Sequence, residues 1–84
     1  MLAEKEEYIA DFYFKRKIYD SALGRYEGLY KNYGGLGFEA KALARASVCA
    51  QKLGDDVKVK KYKSILEEKY PNSPEAEAAM KENE

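Results

Sequence analysis

The chemistry open to this chain is bounded first by what it lacks: its 84 residues include no histidine and a single cysteine, Cys49. Without imidazole there is no ordinary general base near neutral pH and no Cys–His dyad. A lone thiol makes neither an intrachain disulfide nor a zinc site of the usual composition. No residue qualifies for a catalytic role, no cofactor or metal is expected, and the chain is not an enzyme by inventory. What remains is recognition. Arg25 carries a planar fork that pairs bidentately with a carboxylate, where lysine substitutes poorly, and Glu27 follows on the same segment. Phe14 beside Glu7 and Asp11, together with Arg45, Val48 and Lys52, supplies the aromatic and charged groups of a peptide groove. Phe14 and Arg45 are therefore groove candidates; Arg25, one residue before Tyr26, is expected at the border of packed and outward surfaces, either as a partner contact or as a solvated arginine in a local pair, and Glu27 is a further partner-binding candidate. Lys58, Lys60, Lys61 and Lys63 form the densest basic cluster, but no aromatic stacking platform accompanies them, so a solvated helix face is expected and nucleic acid is not. Cys49 lies among small residues and reads as a half-buried thiol rather than a reactive one.

These residues must be positioned by one small domain, because so short a chain cannot be divided into two useful cores. Hydrophobic residues make up 45% and charged ones 36%, with only two prolines, a balance that disfavours disorder. Fifteen basic side chains offset fifteen acidic ones, yet unevenly. Residues 1–11 hold one base and four acids, 12–66 twelve bases and five acids, and 67–84 two bases and six acids. A neutral total thus conceals acidic ends around a basic middle. No apolar stretch is long enough to span a bilayer or to serve as a secretory core segment. The helical pattern begins at once after Met1, which suggests a piece excised from a longer protein.

Apolar residues recur at spacings of three and four, which predicts helices and no strand. The first helix is expected over about 3–17, with Tyr8, Ile9, Phe12 and Tyr13 as a wide aromatic stripe; the run Tyr8, Phe12, Tyr13 is expected to be core, with Phe14 on a concave side. The second, about 20–33, carries Ala22, Leu23, Tyr26, Leu29, Tyr30 and Tyr33 and ends at Gly34, Gly35 and Gly37. The third, about 39–53, packs through Ala42, Leu43, Ala46, Ser47, Ala50 and Leu53. Gly54 then caps it, Asp55 opens a fourth helix over about 56–69 with Val59, Tyr62, Ile65 and Leu66 inward, and Pro71 closes that one. Ser73, Pro74 and Glu75 are the start signals of a short alanine-rich helix over 73–82.

Connections of two or three residues between helices one and two, and between three and four, make each pair an antiparallel hairpin. The 34-residue tetratricopeptide pattern fits both. Ala10, Tyr13, Tyr19, Ala22, Tyr26 and Leu29 occupy its positions in the first copy; Leu43, Ser47, Ala50, Gly54, Val59, Leu66 and Pro71 occupy them in the second. Small residues stand where paired helices cross, and larger ones fill the space between hairpins. The expected architecture is all-α: repeat one over 3–33, a loop at 34–37, repeat two over 38–71 and the C-terminal helix, an α-solenoid fragment. The second frame lies 37 residues after the first, and the surplus is the glycine loop.

That long loop, with the run Tyr8-Ile9-Ala10-Asp11-Phe12-Tyr13-Phe14-Lys15-Arg16, the segment Arg25-Tyr26-Glu27-Gly28-Leu29 and the closing Lys69-Tyr70-Pro71-Asn72-Ser73-Pro74, resembles the C-terminal part of the BamD family. These are tetratricopeptide lipoproteins of the machinery that assembles outer-membrane β-barrels, and the resemblance covers about the last two of their five repeats. It implies a scaffold at the periplasmic face of the outer membrane that docks the periplasmic domains of BamA, the barrel insertase, and other assembly lipoproteins. Arg25 matches a family arginine at that contact, which implies pairing with a partner carboxylate. Membrane attachment is implied only through a lipid anchor absent from this chain. Two positions depart from the family: Gly34 replaces a proline after tyrosine, and Lys17 stands where glycine is frequent, so the first hairpin is expected to turn differently.

The alternative is a generic tetratricopeptide adaptor holding an extended peptide in its concave groove. The clamp that grips a chaperone's terminal carboxylate is disfavoured, because Glu7 and Asp11 would repel it. A terminal repeat without neighbours leaves aromatic surface open, so self-association is a further expectation.

Overall fold

The computed structural model describes residues 2–71 and Pro74. Four helices follow in order, α1 (Leu2–Lys15), α2 (Tyr19–Asn32), α3 (Glu39–Leu53) and α4 (Asp56–Lys69), and no strand occurs among the described residues. Each helix packs on the next, so the chain is an all-α series of helical hairpins with α2 and α3 at its centre. The expected helix over 73–82 lies outside the described residues apart from Pro74.

The hairpin turns explain where the helices stop. At the end of α3, Gly54 takes a left-handed φ of 79°; its N–H donates to the Gln51 carbonyl at 3.1 Å, and the Asp55 N–H donates to Ala50 at 2.9 Å. These are the paired bonds of a Schellman cap, which satisfy carbonyls that the helix itself leaves open. The end of α1 repeats this geometry with no glycine. Lys17 takes a φ of 63°, its N–H donates to Phe14 at 3.0 Å, and the Ile18 N–H donates to Tyr13 at 3.0 Å. The first helix therefore ends at Lys15, two residues short of the expected Lys17. The hairpin makes the same turn as its counterpart, and the lysine bears the strain that glycine would avoid. Asp55 caps α4 as its position predicts, accepting from the Lys58 N–H at 3.2 Å. Between the hairpins Gly35 and Gly37 both have positive φ, and the Gly35 N–H donates to the Glu39 carboxylate, tying the loop to the first turn of α3.

The core is built from small residues at the helix crossings and a few large ones between them. Ala10, Ala22, Ala42, Ala46 and Ala50 are buried, and Tyr26, Leu29, Leu43, Tyr62 and Leu66 fill the spaces. Burial of each of these larger side chains contributes roughly 1.5–3 kcal/mol. Four expectations fail: Lys63, predicted on a solvated face, is buried, Cys49 is buried fully rather than by half, and Leu53 and the aromatic stripe of α1 differ as well. Leu53 points outward at the end of α3. The aromatic stripe of α1 is split: Tyr13 and Phe14 pack against the core, whereas Tyr8 is 73% exposed and Phe12 43%. The reason is geometric, because α1 packs on α2 through the face of Ala3 and Ala10, and the Tyr8–Phe12 face has no helix against it among the described residues.

Candidate functional site

Two arrangements of polar side chains stand out, one along α1 and α3 and one on the outer face of α2. In the first, Asp11 on α1 accepts from Lys41 Nζ at 2.8 Å and from Arg45 Nη1 at 3.0 Å, while Glu7 accepts from Lys41 at 3.2 Å. Tyr26, buried on α2, donates its hydroxyl proton to Asp11, and Arg45 Nη1 donates to the Tyr26 hydroxyl oxygen at 3.2 Å. The Arg45 guanidinium also lies 4.7 Å from the centre of the Phe14 ring, which meets Tyr19 and Tyr26 edge to face. Phe14 and Arg45, predicted separately on one concave side, are thus brought into contact, and their charge and ring surface are spent on each other and on Asp11.

This network shifts the groups in it. Burial pushes the Asp11 carboxyl up, but the hydrogen bonds from Lys41 and Tyr26 and the charges of Lys41 and Arg45 outweigh it and leave Asp11 below its ordinary value. Burial and the Asp11 bond push the Tyr26 hydroxyl up. For Arg45, burial lowers and the Tyr26 bond and the nearby acids raise, with a net upward shift. Asp11 and Arg45 are thus both shifted toward their charged, pairing forms.

Glu27 lies elsewhere. It reaches from α2 to α4, accepting from the Tyr62 hydroxyl and pairing with Lys58 Nζ at 3.2 Å. Burial raises its carboxyl, yet the bonds from Tyr62 and Lys58 hold it below the usual range. The predicted site residues therefore fall in three places, and Glu27 is occupied within its own chain. Cys49 is fully buried and its thiol is pushed up to about 11 by burial, so it is neutral and inaccessible. Among the described residues no group of acids, histidines or cysteines could hold a metal ion.

Arg25 occupies the second arrangement. Its Nη1 donates to Glu6 on α1 at 3.1 Å, with 45% of the Arg25 side chain and 32% of the Glu6 side chain exposed. The pair borders a groove of about 490 Å³ between α1 and the outer face of α2. Gly24 and Gly28 are among the groove residues, with Tyr13 and Tyr33 beside them. Nothing lies within 4 Å of where a Gly24 Cβ would stand. The glycines therefore answer no packing demand within the described chain, although each costs about 1 kcal/mol relative to alanine in a helix.

Glu6, Lys41 and the hub role of Tyr26 were not anticipated. A signal for Lys41 was present: Glu7 and Asp11 are four apart, Lys41 and Arg45 are four apart, and each acid pairs with the base 34 residues later. Glu6 had none, since its bond to Arg25 depends on how α1 and α2 cross.

Comparison with known proteins agrees with this architecture. The model of the family YfiO, described as outer membrane lipoprotein, matches residues 1–66. The outer membrane protein assembly factor BamD of Rickettsia prowazekii (strain Madrid E) is 39% identical over 72 residues, covering 86% of this chain and 29% of that relative. The chain thus spans under a third of the length of the curated relative it matches. No solved structure matches it, and among the described residues no helix is long and apolar enough to cross a membrane. With two thirds or more of the chain covered by each match, and with the helical hairpins in place, the chain belongs to the BamD family of outer-membrane assembly lipoproteins.

Proposed function

We propose that this chain is a non-enzymatic scaffold that docks the periplasmic domains of a BamA-like insertase during outer-membrane protein assembly, with Arg25 as an anchor. The working units are two tetratricopeptide repeats, 3–33 and 38–71, joined by the loop at 34–37, at the periplasmic face of the outer membrane. Other assembly lipoproteins are further partners. The carrying observation is the state of Arg25. Lys41 and Arg45 are bound to Asp11, and Lys58 to Glu27, in ties between helices. Arg25 is held by one nitrogen, is exposed, and opens on a groove. Arg25 makes a single exposed ion pair, whereas Arg45 bonds both Asp11 and Tyr26 and lies over the Phe14 ring, which favours the outer face of α2 over the adaptor reading.

Binding of the insertase's periplasmic domains to the full chain tests this. Arg25→Ala is expected to weaken affinity by about tenfold or more, Arg25→Glu further, and Arg25→Lys to restore little, as for a bidentate charge pair at an interface. Arg45→Lys, which keeps a cation beside Asp11, should leave docking unchanged. Unaltered affinity for both Arg25→Ala and Arg25→Glu would refute the assignment, and loss of binding by Arg45→Lys alone would move the contact to the concave face.

A further inference from the structure

We infer that Glu6 is a placeholder for the partner's carboxylate at Arg25, an internal competitor that occupies Nη1 and offsets the charge a docking partner would pair with. The inference rests on the reading of Arg25 as a docking anchor. Glu6 reaches Arg25 from a different helix, 19 residues earlier in the chain, and its Oε2 lies 3.1 Å from Nη1, where an incoming carboxylate oxygen would bind. Both side chains remain open to solvent, so the pair exchanges readily and contributes little to the fold. The groove beside it supplies what a competitor needs. Gly24 and Gly28 bring the α2 backbone to the surface there, and a partner's main chain can lie close along it.

The electrostatics give the placeholder a purpose. With Glu6 in place the Arg25 charge is neutralised, and Asp20, a further groove residue, leaves the groove net negative. A stray carboxylate then gains nothing by approaching. A partner that also fills the groove gains contact area that a free acid does not, and this surplus drives the exchange. Selectivity therefore requires shape as well as charge, the repulsive element being directed against small anions.

The test uses the full 84-residue chain and the insertase's periplasmic domains as probe. Glu6→Gln keeps the shape and removes the charge. It is expected to tighten docking by about 1.5- to 5-fold, the range of one exposed ion pair. The gain should vanish when Arg25→Ala is also present, because the double-mutant cycle then lacks the competed group. A six-residue polyglutamate peptide should compete against docking to the Glu6→Gln protein more effectively than against docking to the parent. Weakened or unchanged docking by Glu6→Gln overturns the placeholder, and so does a gain that persists without Arg25. The two readings separate cleanly. If Arg25→Ala weakens docking and Glu6→Gln does not tighten it, only the placeholder falls; if Arg25→Ala has no effect, the anchor falls and the placeholder with it. An unchanged thermal melt of Glu6→Gln assigns any difference to binding rather than folding.

Discussion

Replacing Lys17 by glycine is expected to stabilise the chain, and the internal repeat supplies its own control. Lys17 is the one non-glycine residue with positive φ among the described residues, at 63°, and it is exposed at the surface. Among the described residues it makes no ion pair that substitution would remove. A side chain in the left-handed region costs about 1–2 kcal/mol, from the crowding of Cβ against the following carbonyl. Glycine removes that cost but adds freedom to the unfolded chain worth about 0.4–1 kcal/mol. The net expectation for Lys17→Gly is a gain of up to about 1.6 kcal/mol, and of about 0.8 kcal/mol at the middle of both ranges, which for a domain of this size raises Tm by roughly 3–6 °C.

Gly54 holds the equivalent position in the second hairpin, with φ of 79° and nothing within 4 Å of where its Cβ would lie. Gly54→Lys therefore places its Cβ against no tertiary neighbour, and its cost isolates the local conformational strain. It should lower stability by about the amount that Lys17→Gly raises it. Urea and thermal unfolding followed by circular dichroism at 222 nm measure both. A neutral or destabilising Lys17→Gly, beside a clearly destabilising Gly54→Lys, would refute the argument, since it would mean that the two turns differ in energy despite sharing hydrogen bonds and backbone sign.

Further expectations concern the polar ties, the thiol and the open aromatic face. Asp11 and Glu27 have folded carboxyls below their ordinary values, so the unfolded state binds more protons, and their contribution to stability is full above the unfolded pKa of about 4 and is lost as pH falls through the folded values; Asp11→Asn should flatten this acid limb in urea titrations between about pH 5 and 2. Tyr26→Phe removes a buried hydroxyl that links Asp11 and Arg45, and about 1.5–3 kcal/mol of stability should go with it, as for hydrogen bonds to charged groups. Cys49 should fail to react with Ellman's reagent in the folded protein at pH 8 and react fully in 8 M urea, reflecting its burial and a thiol pushed up to about 11. The double change Tyr8→Ser with Phe12→Ser should cut binding of a hydrophobic dye and any self-association seen by sedimentation at high concentration, with a smaller loss of stability than truncation of a fully buried ring, because Tyr8 is mostly exposed and Phe12 partly so.

The parts of the fold that could be read from sequence are those punctuated by residues with special backbone roles. Gly54 and Asp55 mark the end of α3 and the start of α4, and both helices have the expected bounds. Lys17 shows the converse: its left-handed conformation has no signature in a lysine, so the end of α1 lay two residues earlier than its periodicity suggested. Tyr8 and Phe12 expose a different limit. An apolar residue records a tendency to be buried, while burial needs a neighbouring element, and periodicity cannot say whether one is there. Within the candidate site, Phe14 and Arg45 were legible because the repeat frame places both on one side. Their mutual contact was not, since it depends on the distance between α1 and α3.

The three consecutive residues Arg25, Tyr26 and Glu27 connect site and fold. Successive side chains on a helix diverge by about 100°, so each turns to a different neighbour: Arg25 to Glu6 on α1, Tyr26 to Asp11 on α1 and Arg45 on α3, and Glu27 to Tyr62 and Lys58 on α4. Two of these links are partly buried and charge-assisted, so the backbone of α2 beneath Arg25 is pinned from both sides. The exposed guanidinium can change partners without the helix moving. On the proposed reading of Arg25 as a docking anchor, it would enter a complex with its backbone already ordered, and the entropy lost on docking would be confined to one side chain. Weakening the Glu27–Tyr62 tie with Tyr62→Phe should thus reduce docking by loosening the support of Arg25, even though Tyr62 is buried away from the groove. Tyr62→Phe with unchanged docking but lowered stability would show that α2 holds Arg25 without help from α4.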